Sequence, residues 1–455
     1  MIRKPLLCLA LLAPTIASGD VEKVLTAAHK ASRDALAVVR YSYVGEGGTR
    51  TFGGQAVCID DSGLFVTLDV GTSLGADRLD DFRLFRPGQA ETPLPAKLLW
   101  LDEVTNIAFI QAEDATGWRA ITFADEAKLH VGAPVASAGL MPGDVGHPIY
   151  LGAARVSTLV RAPHRLAYVT GGKLTRYGSP VFNVDGKAIG LVSHQRPRAS
   201  RFVQVGRRRV PVTVRGRQET SYFVPVEEFA DVLSRPRTPR RMSWIGALNF
   251  EGISADIAAV KEIDTPCVRL GRIVDGTPGD EAGLRDGDLI VGRDGKPLPR
   301  LGTPQLVAAN LQQRLSALPP GTKVTLAVLR DGTKQTLPVT TEPVPNRPWE
   351  APRHYVRRLG LGARGRVLFD AYVEQSLASD VPGVIVYAVA SGSPAAQAGF
   401  RSNDVLTSLD GKDIRTVEQF RQVTDDVLKR PGQTVSAEVM RGESKQTLQI
   451  AVPSR

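Results

Sequence analysis

A chain of 455 residues is too long for a single hydrophobic core, so the sequence predicts about three domains. Apolar residues account for 42% and charged residues for 23%, a balance that excludes a disordered chain. The formal net charge of +10 comes largely from arginine-rich stretches with few aromatic residues, a pattern that does not favour a specific reader of nucleic acid.

The N-terminus has the pattern of a secretory leader. Arg3 and Lys4 precede an apolar run over residues 6–13, and small residues follow at 17–19. This pattern predicts a signal peptide over residues 1–19 and export to the periplasm or another extracytoplasmic compartment. A membrane anchor is the alternative, but the apolar run is shorter than the roughly 20 residues that span a bilayer.

The first half of the mature chain is predicted to be mostly strand. Residues 21–38 have the pattern of an amphipathic helix, and from residue 51 to about 229 short strands alternate with glycine, proline and aspartate turns. Residues 185–187, for example, are a hairpin turn between two apolar runs. This succession favours a sandwich or a barrel.

Arginine is concentrated in an insert over residues 195–218 and in a linker over residues 234–242. The arginines are Arg196, Arg198, Arg201, Arg207, Arg208, Arg209, Arg215 and Arg217, then Arg235, Arg237, Arg240 and Arg241. One interpretation is a solvated loop followed by a basic linker. The other is contact with an anionic surface, such as a phosphorylated polymer or lipid headgroups, which would weaken steeply as salt rises.

The cysteines indicate no metal site. Cys8 leaves with the leader, and Cys58 and Cys267 fall in different predicted domains. A disulfide between them and two buried free thiols are both open. No cysteine–histidine group has metal-ligand spacing, so we expect neither a structural zinc nor a cofactor.

The second half contains one module twice. Residues 276–290 are repeated at 392–406, and Gly283 and Gly399 lie 116 residues apart. A period of this length indicates tandem domains. In the first copy, strands, an Asp294-Gly295 hairpin turn and a helix over residues 303–318 follow each other. The module resembles a PDZ domain of the circularly permuted type found in bacterial proteases.

The resemblance implies peptide binding. PDZ domains add an extended peptide to a sheet edge, and a loop of backbone N–H groups holds its terminal carboxylate. In the first copy the loop and the start of the edge strand correspond to Trp244, Ile245, Gly246, Ala247 and Leu248. In the second copy they correspond to Leu359, Gly360, Leu361 and Gly362. Ordinary tight turns beside a degenerate groove are the alternative interpretation.

A barrel-like half followed by two PDZ domains resembles the HtrA (DegP-like) family of extracytoplasmic serine proteases. The fold class implied is mainly β: a trypsin-like double β-barrel domain followed by two α+β PDZ domains. The expected boundaries are a signal peptide at 1–19, a trypsin-like domain at 20–233, a linker at 234–242, PDZ domains at 243–342 and 356–455, and a linker at 343–355. Family members often trimerise through the N-terminal end.

The catalytic positions of that family are replaced. The base histidine corresponds to Val70, the orienting aspartate to Asn106 and the nucleophilic serine to Tyr177. Valine has no proton acceptor, and a tyrosine hydroxyl without a base is a poor nucleophile for acyl transfer. The sequence therefore predicts a pseudoprotease.

Ser179 is the one candidate for a displaced nucleophile. His147, His164 and His194 lie in the same half of the domain, and one of them would have to approach its hydroxyl. The glycine-rich run that shapes the oxyanion hole in the family is replaced in front by Thr175, Arg176 and Tyr177. A serine endopeptidase with this non-standard site is the alternative to the pseudoprotease.

The function that these patterns favour is a non-catalytic scaffold in envelope protein quality control. Its partners would be unfolded or C-terminal peptides of other proteins, with a homo-trimer or a mixed oligomer with active relatives as the assembly. The arginine-rich insert is expected to border the blocked cleft, because in the family the flanking strands lie beside it.

Overall fold

A computed structural model describes residues 18–45, 48–68, 70, 78–161, 163–193, 200–205, 208–213, 221–235, 240–260, 263–373 and 381–454. They form two compact units, one within Met1–Tyr41, Gly53–Val70 and Asp81–Glu342, the other within Ser42–Phe52, Gly71–Asp80 and Pro343–Arg455. Within the described residues, no helix combines the length and apolar character needed to cross a membrane. The leader predicted at residues 1–19 lies almost wholly outside the described ranges.

The described part of the chain starts in helix α1, Ser18–Ser32, and enters its first strand four residues later. The helix predicted over residues 21–38 is therefore wrong at its C-terminal end. The run from Leu36 to Val39 is fully or almost fully buried and rich in β-branched residues, which favour a strand over a helix.

The first closed barrel has the strand order β1-β2-β3-β6-β5-β4. Its strands are β1 Leu36–Gly45, β2 Gly48–Asp60, β3 Leu64–Thr67, β4 Leu79–Phe85, β5 Leu94–Asp102 and β6 Ile107–Ala112. Every residue of β3 is buried, and the Phe65 ring meets Trp118 edge-on at 4.8 Å. The barrel interior is thus filled by side chains, as the small size of a six-stranded barrel requires.

The second closed barrel has the order β10-β11-β14-β9-β8-β7. Its strands are β7 Pro134–Leu140, β8 Ile149–Val160, β9 Leu166–Thr170, β10 Pro180–Phe182, β11 Ala188–Ser193 and β14 Tyr222–Pro225. Strands β12, Ser200–Val205, and β13, Arg208–Thr213, lie within the arginine-rich insert and pair with each other. The short helix α2, Ala230–Leu233, ends this part of the chain.

Gln55 joins the two barrels. Its side-chain amide on β2 donates to the Ala138 carbonyl at 3.0 Å, and its amide oxygen accepts from the Leu140 N–H at 3.1 Å. Both partners lie on β7 of the other barrel, and Gln55 is fully buried. A buried amide that satisfies a donor and an acceptor fixes the facing strands in one register.

The first repeat has one sheet with β16 at its edge, in the order β16-β17-β18-β20-β21 with β19 paired to β18. The elements are β15 Ser243–Trp244, β16 Ala247–Gly252, α3 Ala255–Val260, β17 Val268–Ile273, α4 Pro278–Glu281, β18 Leu289–Arg293, β19 Lys296–Pro297, α5 Pro304–Ser316, β20 Lys323–Arg330, β21 Thr333–Thr340 and β22 Glu342–Pro343. Thr303 caps α5 through its side chain, and the helix predicted over residues 303–318 is present as Pro304–Ser316.

The second repeat has the order β23-β24-β25-β26-β28-β29, with β27 paired to β26. Its elements are β23 Arg353–Val356, β24 Leu361–Arg364, α6 Asp370–Val373, β25 Val384–Val389, α7 Pro394–Gln397, β26 Val405–Leu409, β27 Lys412–Asp413, α8 Val417–Leu428, β28 Thr434–Arg441 and β29 Ser444–Ala451. The predicted fold class, two barrels followed by two α+β PDZ domains, is confirmed.

Candidate functional site

The three positions assigned to the triad lie on segments that the fold brings together. Val70 follows β3 and is 3% exposed. Asn106 directly precedes β6, which pairs with β3 so that Thr67 opposes Ala108. The loop that carries Tyr177 reaches the same place, because a Cβ built on Gly178 would lie 3.9 Å from the Leu68 backbone nitrogen. The segments that carry these three positions therefore approach one another in the barrel domain.

The loop before β10 uses its backbone donors internally. The Thr175 N–H donates to the Ser137 hydroxyl oxygen at 2.7 Å. The Gly178 N–H donates to the Val192 carbonyl at 2.9 Å, and the Ser179 N–H donates to the Arg176 carbonyl at 3.1 Å. An oxyanion hole requires N–H groups directed at the developing negative charge. These three donors are directed elsewhere.

Ser179 is enclosed. It is 0% exposed, and its hydroxyl has no hydrogen-bond partner within the described ranges. His147 is also buried, with Nδ1 2.9 Å from the Met141 carbonyl and its ring against Phe85. His164 lies half-buried in the turn before β9, and His194 lies outside the described residues. The described histidines thus have no hydrogen bond to the Ser179 hydroxyl.

A buried carboxylate does lie beside Asn106, at Asp102. Its side chain accepts two hydrogen bonds from the Arg240 guanidinium, at 2.7 and 3.1 Å, and two from Thr105. Burial alone would raise the pKa of Asp102, but the hydrogen bonds from Arg240 and Thr105 outweigh burial and lower it. This carboxylate is therefore occupied in holding the linker that follows α2.

The loop of the first PDZ domain is built around Gly246. Its φ is +80°, and a Cβ there would lie 1.8 Å from the Thr277 Oγ1, so only glycine fits. Ile245 and Ala247 are buried beside it, while Trp244 and Leu248 are half-buried. In the part of the chain that the structure describes, the N–H groups of Ile245 and Gly246 donate to no carbonyl.

Strand β16 is open on one side. Its pairing partner is β17, and the described residues provide no strand on its other edge. Asn249 interrupts its regular geometry with a φ of +58°, opposite Gly271, which has no Cβ to collide with the Asn249 backbone. Helix α5 lies beside the strand, and its Asn310 amide donates to the Pro163 carbonyl of the second barrel at 3.1 Å.

The loop of the second PDZ domain repeats this geometry. Gly360 has a φ of +63°, and a Cβ there would lie 2.2 Å from the Ser393 Cβ. Leu359 and Leu361 are fully buried, and Gly362 is flanked by the rings of Tyr355 and Tyr387. The strand that follows is not at the edge of its sheet, however, because β23 pairs with it.

Sequence reasoning missed three features: the Gln55 bridge, the Asp102–Arg240 pair and the strand β23. The first two join residues 83 and 138 positions apart, and no local pattern marks such contacts. Placement of the arginine-rich insert beside the cleft stays a prediction, because most of residues 195–218 lie outside the described ranges or are described by backbone alone.

The fold and the matching domain families define a class of protein. A trypsin-like peptidase domain matches residues 16–191, and a PDZ domain matches residues 257–341 and 360–452. The chain therefore combines a trypsin-like barrel domain with two C-terminal PDZ domains.

Curated proteins similar to this chain share one name. The chain is 27% identical over 363 residues to a probable periplasmic serine endoprotease DegP-like of Pseudomonas fulva (strain 12-X), across 76% of this chain and 69% of the relative. It is 26% identical over 346 residues to a protein of the same name from Hahella chejuensis (strain KCTC 2396), across 73% and 67%. The chain is thus similar to DegP-like proteins in sequence and matches both domain types.

Solved structures share the fold. The HtrA-type protease AlgW with a decapeptide matches 71% of this chain and 99% of its own, with a TM-score of 0.52 and 14% identity. The structure of AlgW with a tripeptide gives a TM-score of 0.53 and 16% identity, across 71% and 98%. At these identities the likeness concerns the fold alone.

Proposed function

We propose that this chain is an exported HtrA-like pseudoprotease that binds peptides without cutting them. The observation that carries the proposal is the chemistry at the three triad positions. Val70 has no atom that accepts a proton, Asn106 has no carboxylate, and Tyr177 replaces the serine hydroxyl by a phenol. Loss of a complete triad costs on the order of a million-fold in turnover, so hydrolysis is not a useful activity of such a site.

The backbone around these positions supports the same proposal. Residual catalysis without a triad comes from the oxyanion hole and from substrate binding. The Thr175 N–H, two residues before Tyr177, is bonded to the Ser137 hydroxyl. Removing one oxyanion donor alone costs about 100- to 1000-fold. The chain therefore lacks the triad residues, and one of its loop donors is also taken.

Peptide binding is assigned to the first PDZ domain. Its edge strand β16 is open, and the Ile245 and Gly246 N–H groups have no described acceptor. An extended peptide would pair with β16 while its terminal carboxylate accepts from the loop. The ligands would be exposed C-termini of unfolded or misassembled envelope proteins. The names of the curated relatives and the predicted leader both support a periplasmic location.

The barrels supply the rigid body of the scaffold in this proposal. Through them the chain would assemble as a homo-trimer or join active relatives in mixed oligomers. In either case it would deliver or retain peptides without contributing a cleavage site.

An activity-based probe tests the catalytic part. Purified mature protein is treated with a fluorescent fluorophosphonate, which reacts only with activated serines, beside an active DegP-like relative. We expect labelling of the relative and none of this chain. Labelling that disappears in Ser179→Ala would establish the alternative, a serine endopeptidase with a displaced nucleophile.

Fluorescence polarisation tests the binding part. Hydrophobic decapeptides that end in valine are compared with their C-terminal amides, and only the free carboxylates are expected to bind. Gly246→Ala should abolish binding, because its Cβ would overlap Thr277. Gly295→Ala is the matched control in the same domain, since it also has a positive φ of +74° but open space around it. Equal binding of acid and amide would contradict the proposal.

A further inference from the structure

The two PDZ domains differ at the edge where a peptide would add. Strand β23 lies antiparallel to β24, with Arg353 opposite Arg364 and Val356 opposite Leu361. The ladder continues beyond the strand, because the Gly365 N–H donates to the Pro352 carbonyl at 2.8 Å. In the first domain, the corresponding edge of β16 has no described strand. The chain itself thus occupies the second edge.

The carboxylate-binding loop of the second domain is also occupied. The Val356 carbonyl accepts from the Gly360 N–H at 2.9 Å and from the Leu359 N–H at 3.1 Å. Leu359 and Gly360 are the counterparts of Ile245 and Gly246, because both glycines have a positive φ and contact the matching side chains Ser393 and Thr277. A backbone carbonyl therefore takes the hydrogen bonds that a terminal carboxylate would accept.

The side chains of β23 alternate as those of a bound peptide would. Val356 is 5% exposed and belongs to the apolar core of the second domain. The His354 ring, two residues earlier, meets Phe420 of α8 with centroids 6.1 Å apart. Tyr355 points to the other face, against Gly362. In β-strand addition, backbone bonds hold the peptide and alternate side chains enter pockets.

We propose that residues 353–356 are an internal ligand of the second PDZ domain, which is therefore closed to external C-termini. The segment is antiparallel to β24, ends in a buried valine and places a carbonyl at the loop. Its connection to the loop is only a few residues long. A tether this short keeps the segment at an effective concentration in the millimolar range, so a dilute free peptide competes poorly.

In the first repeat, the segment that corresponds to β23 is held by other contacts. The segment before Trp244 is fastened to the first barrel: Arg240 is paired with Asp102, and the Met242 N–H donates to the Glu103 carboxylate at 3.0 Å. The described part of this segment is thus bonded to the barrel and does not pair with β16. The duplicated modules thus have one open groove and one filled groove.

Calorimetry on the full mature chain tests the assignment. The probe is a synthetic decapeptide that ends in valine with a free carboxylate. We expect one binding site per chain in the wild type and none in Gly246→Ala. The double variant His354→Asp/Val356→Ser should release β23 and raise the number of sites to two. In the Gly246→Ala background the same double variant should have one site.

A control variant addresses the opposite face of the strand. Tyr355→Ser changes β23 without altering the side chains directed at α8, so it should keep one site. If the Gly246→Ala variant still binds the peptide, and this binding is lost when Gly360→Ala is added, the second domain is open to external peptides. That result would overturn the proposal that β23 is an internal ligand. If the first domain binds no peptide, the wild type has no site, yet the double variant still gains one; that result rejects the proposed function and retains this inference.

Hydrogen exchange tests the proposal on the wild type, so it does not require the double variant to fold. In the wild type, the hydrogen-bonded amides of β23 and β24 should exchange at least about 100-fold more slowly than in an unfolded chain. Their rates should not change when peptide at micromolar concentration, well below the effective concentration of the tethered segment, saturates the first domain. Exchange of β23 at the unfolded-chain rate, or its loss of protection on peptide addition, would overturn the proposal.

Discussion

The guanidinium of Arg240 donates two hydrogen bonds to the buried carboxylate of Asp102, at 2.7 and 3.1 Å. Arg240 belongs to a run of basic residues whose composition is typical of a solvated linker, yet it is 23% exposed in this pair. One member of a charge run therefore pairs with a fully buried carboxylate. The pair fixes where the chain leaves the barrels.

Removing Arg240 should destabilise the first unit. Arg240→Ala leaves the fully buried Asp102 carboxylate without its cation, which costs about 3 kcal/mol in the free energy of unfolding. Arg241→Ala is the matched control, because Arg241 is half-exposed and 3.5 Å from Glu103, and it should cost less than about 1 kcal/mol. Urea denaturation measures both. Equal losses in the free energy of unfolding would show that the buried pair stabilises the fold no more than the exposed one.

Acidification should weaken the same contact. The pKa of Asp102 is lower in the folded chain than its unfolded value of about 3.9. Its contribution is therefore complete above that unfolded value and is lost as pH falls toward the folded pKa. Melting temperatures between pH 3 and pH 7 should fall less steeply on the acid side for Asp102→Asn than for the wild type. An identical pH profile would contradict this assignment.

Restoring the triad residues alone should not restore a protease. A chain carrying Val70→His, Asn106→Asp and Tyr177→Ser is expected to cleave casein at least about 100-fold more slowly than an active DegP-like protein. The reason is that the Thr175 N–H remains bonded to Ser137. Adding Thr175→Gly and Ser137→Ala should raise the rate. Full activity of the triple variant would mean that the loop donors are available.

Both thiols should be inert in the native chain. Cys58 and Cys267 are buried thiols that are not joined in a disulfide, which is the second of the two alternatives that the sequence left open. Burial raises the pKa of the Cys58 thiol to about 11, so almost no thiolate exists at pH 8. Ellman's reagent should detect no fast-reacting thiol in mature protein and two after denaturation. If neither thiol reacts after denaturation, Cys58 and Cys267 are joined in a disulfide.

The duplicated ion pairs should stabilise their domains similarly. Arg330 donates two hydrogen bonds to buried Asp288, and Arg441 does the same to buried Asp404. Asp288→Ala and Asp404→Ala should each cost about 2 kcal/mol, because charge-assisted hydrogen bonds between a buried carboxylate and a partly exposed arginine are lost. Domain-resolved hydrogen exchange measures the two effects separately. A large difference between them would show that the repeats diverged in their cores.

The sequence predicted the structural features that depend on residues close together in the chain. The Asp294-Gly295 turn, the capped helix α5 and the register of the repeat follow from local backbone preferences, and the fold class that they imply is confirmed. The assignment of the triad positions and the loss of catalysis stay proposals.

The structural features that the sequence did not predict depend on contacts between segments far apart in the chain. Gln55 is a polar residue inside a strand, and nothing beside it indicates that its partners lie on β7. Strand β23 is four residues long and has only one aliphatic side chain, so it has no clear strand pattern of its own. Its conformation is set by β24 and α8, which come later in the chain.

The hairpin of β23 and β24 also determines valency. Two open PDZ grooves on one chain would let a partner with two tails bind at both, which strengthens binding by about 100- to 10,000-fold. With one groove filled from within, each chain presents a single contact, and a bound peptide leaves at the rate of that contact. Long retention of a client would then require several chains in one assembly.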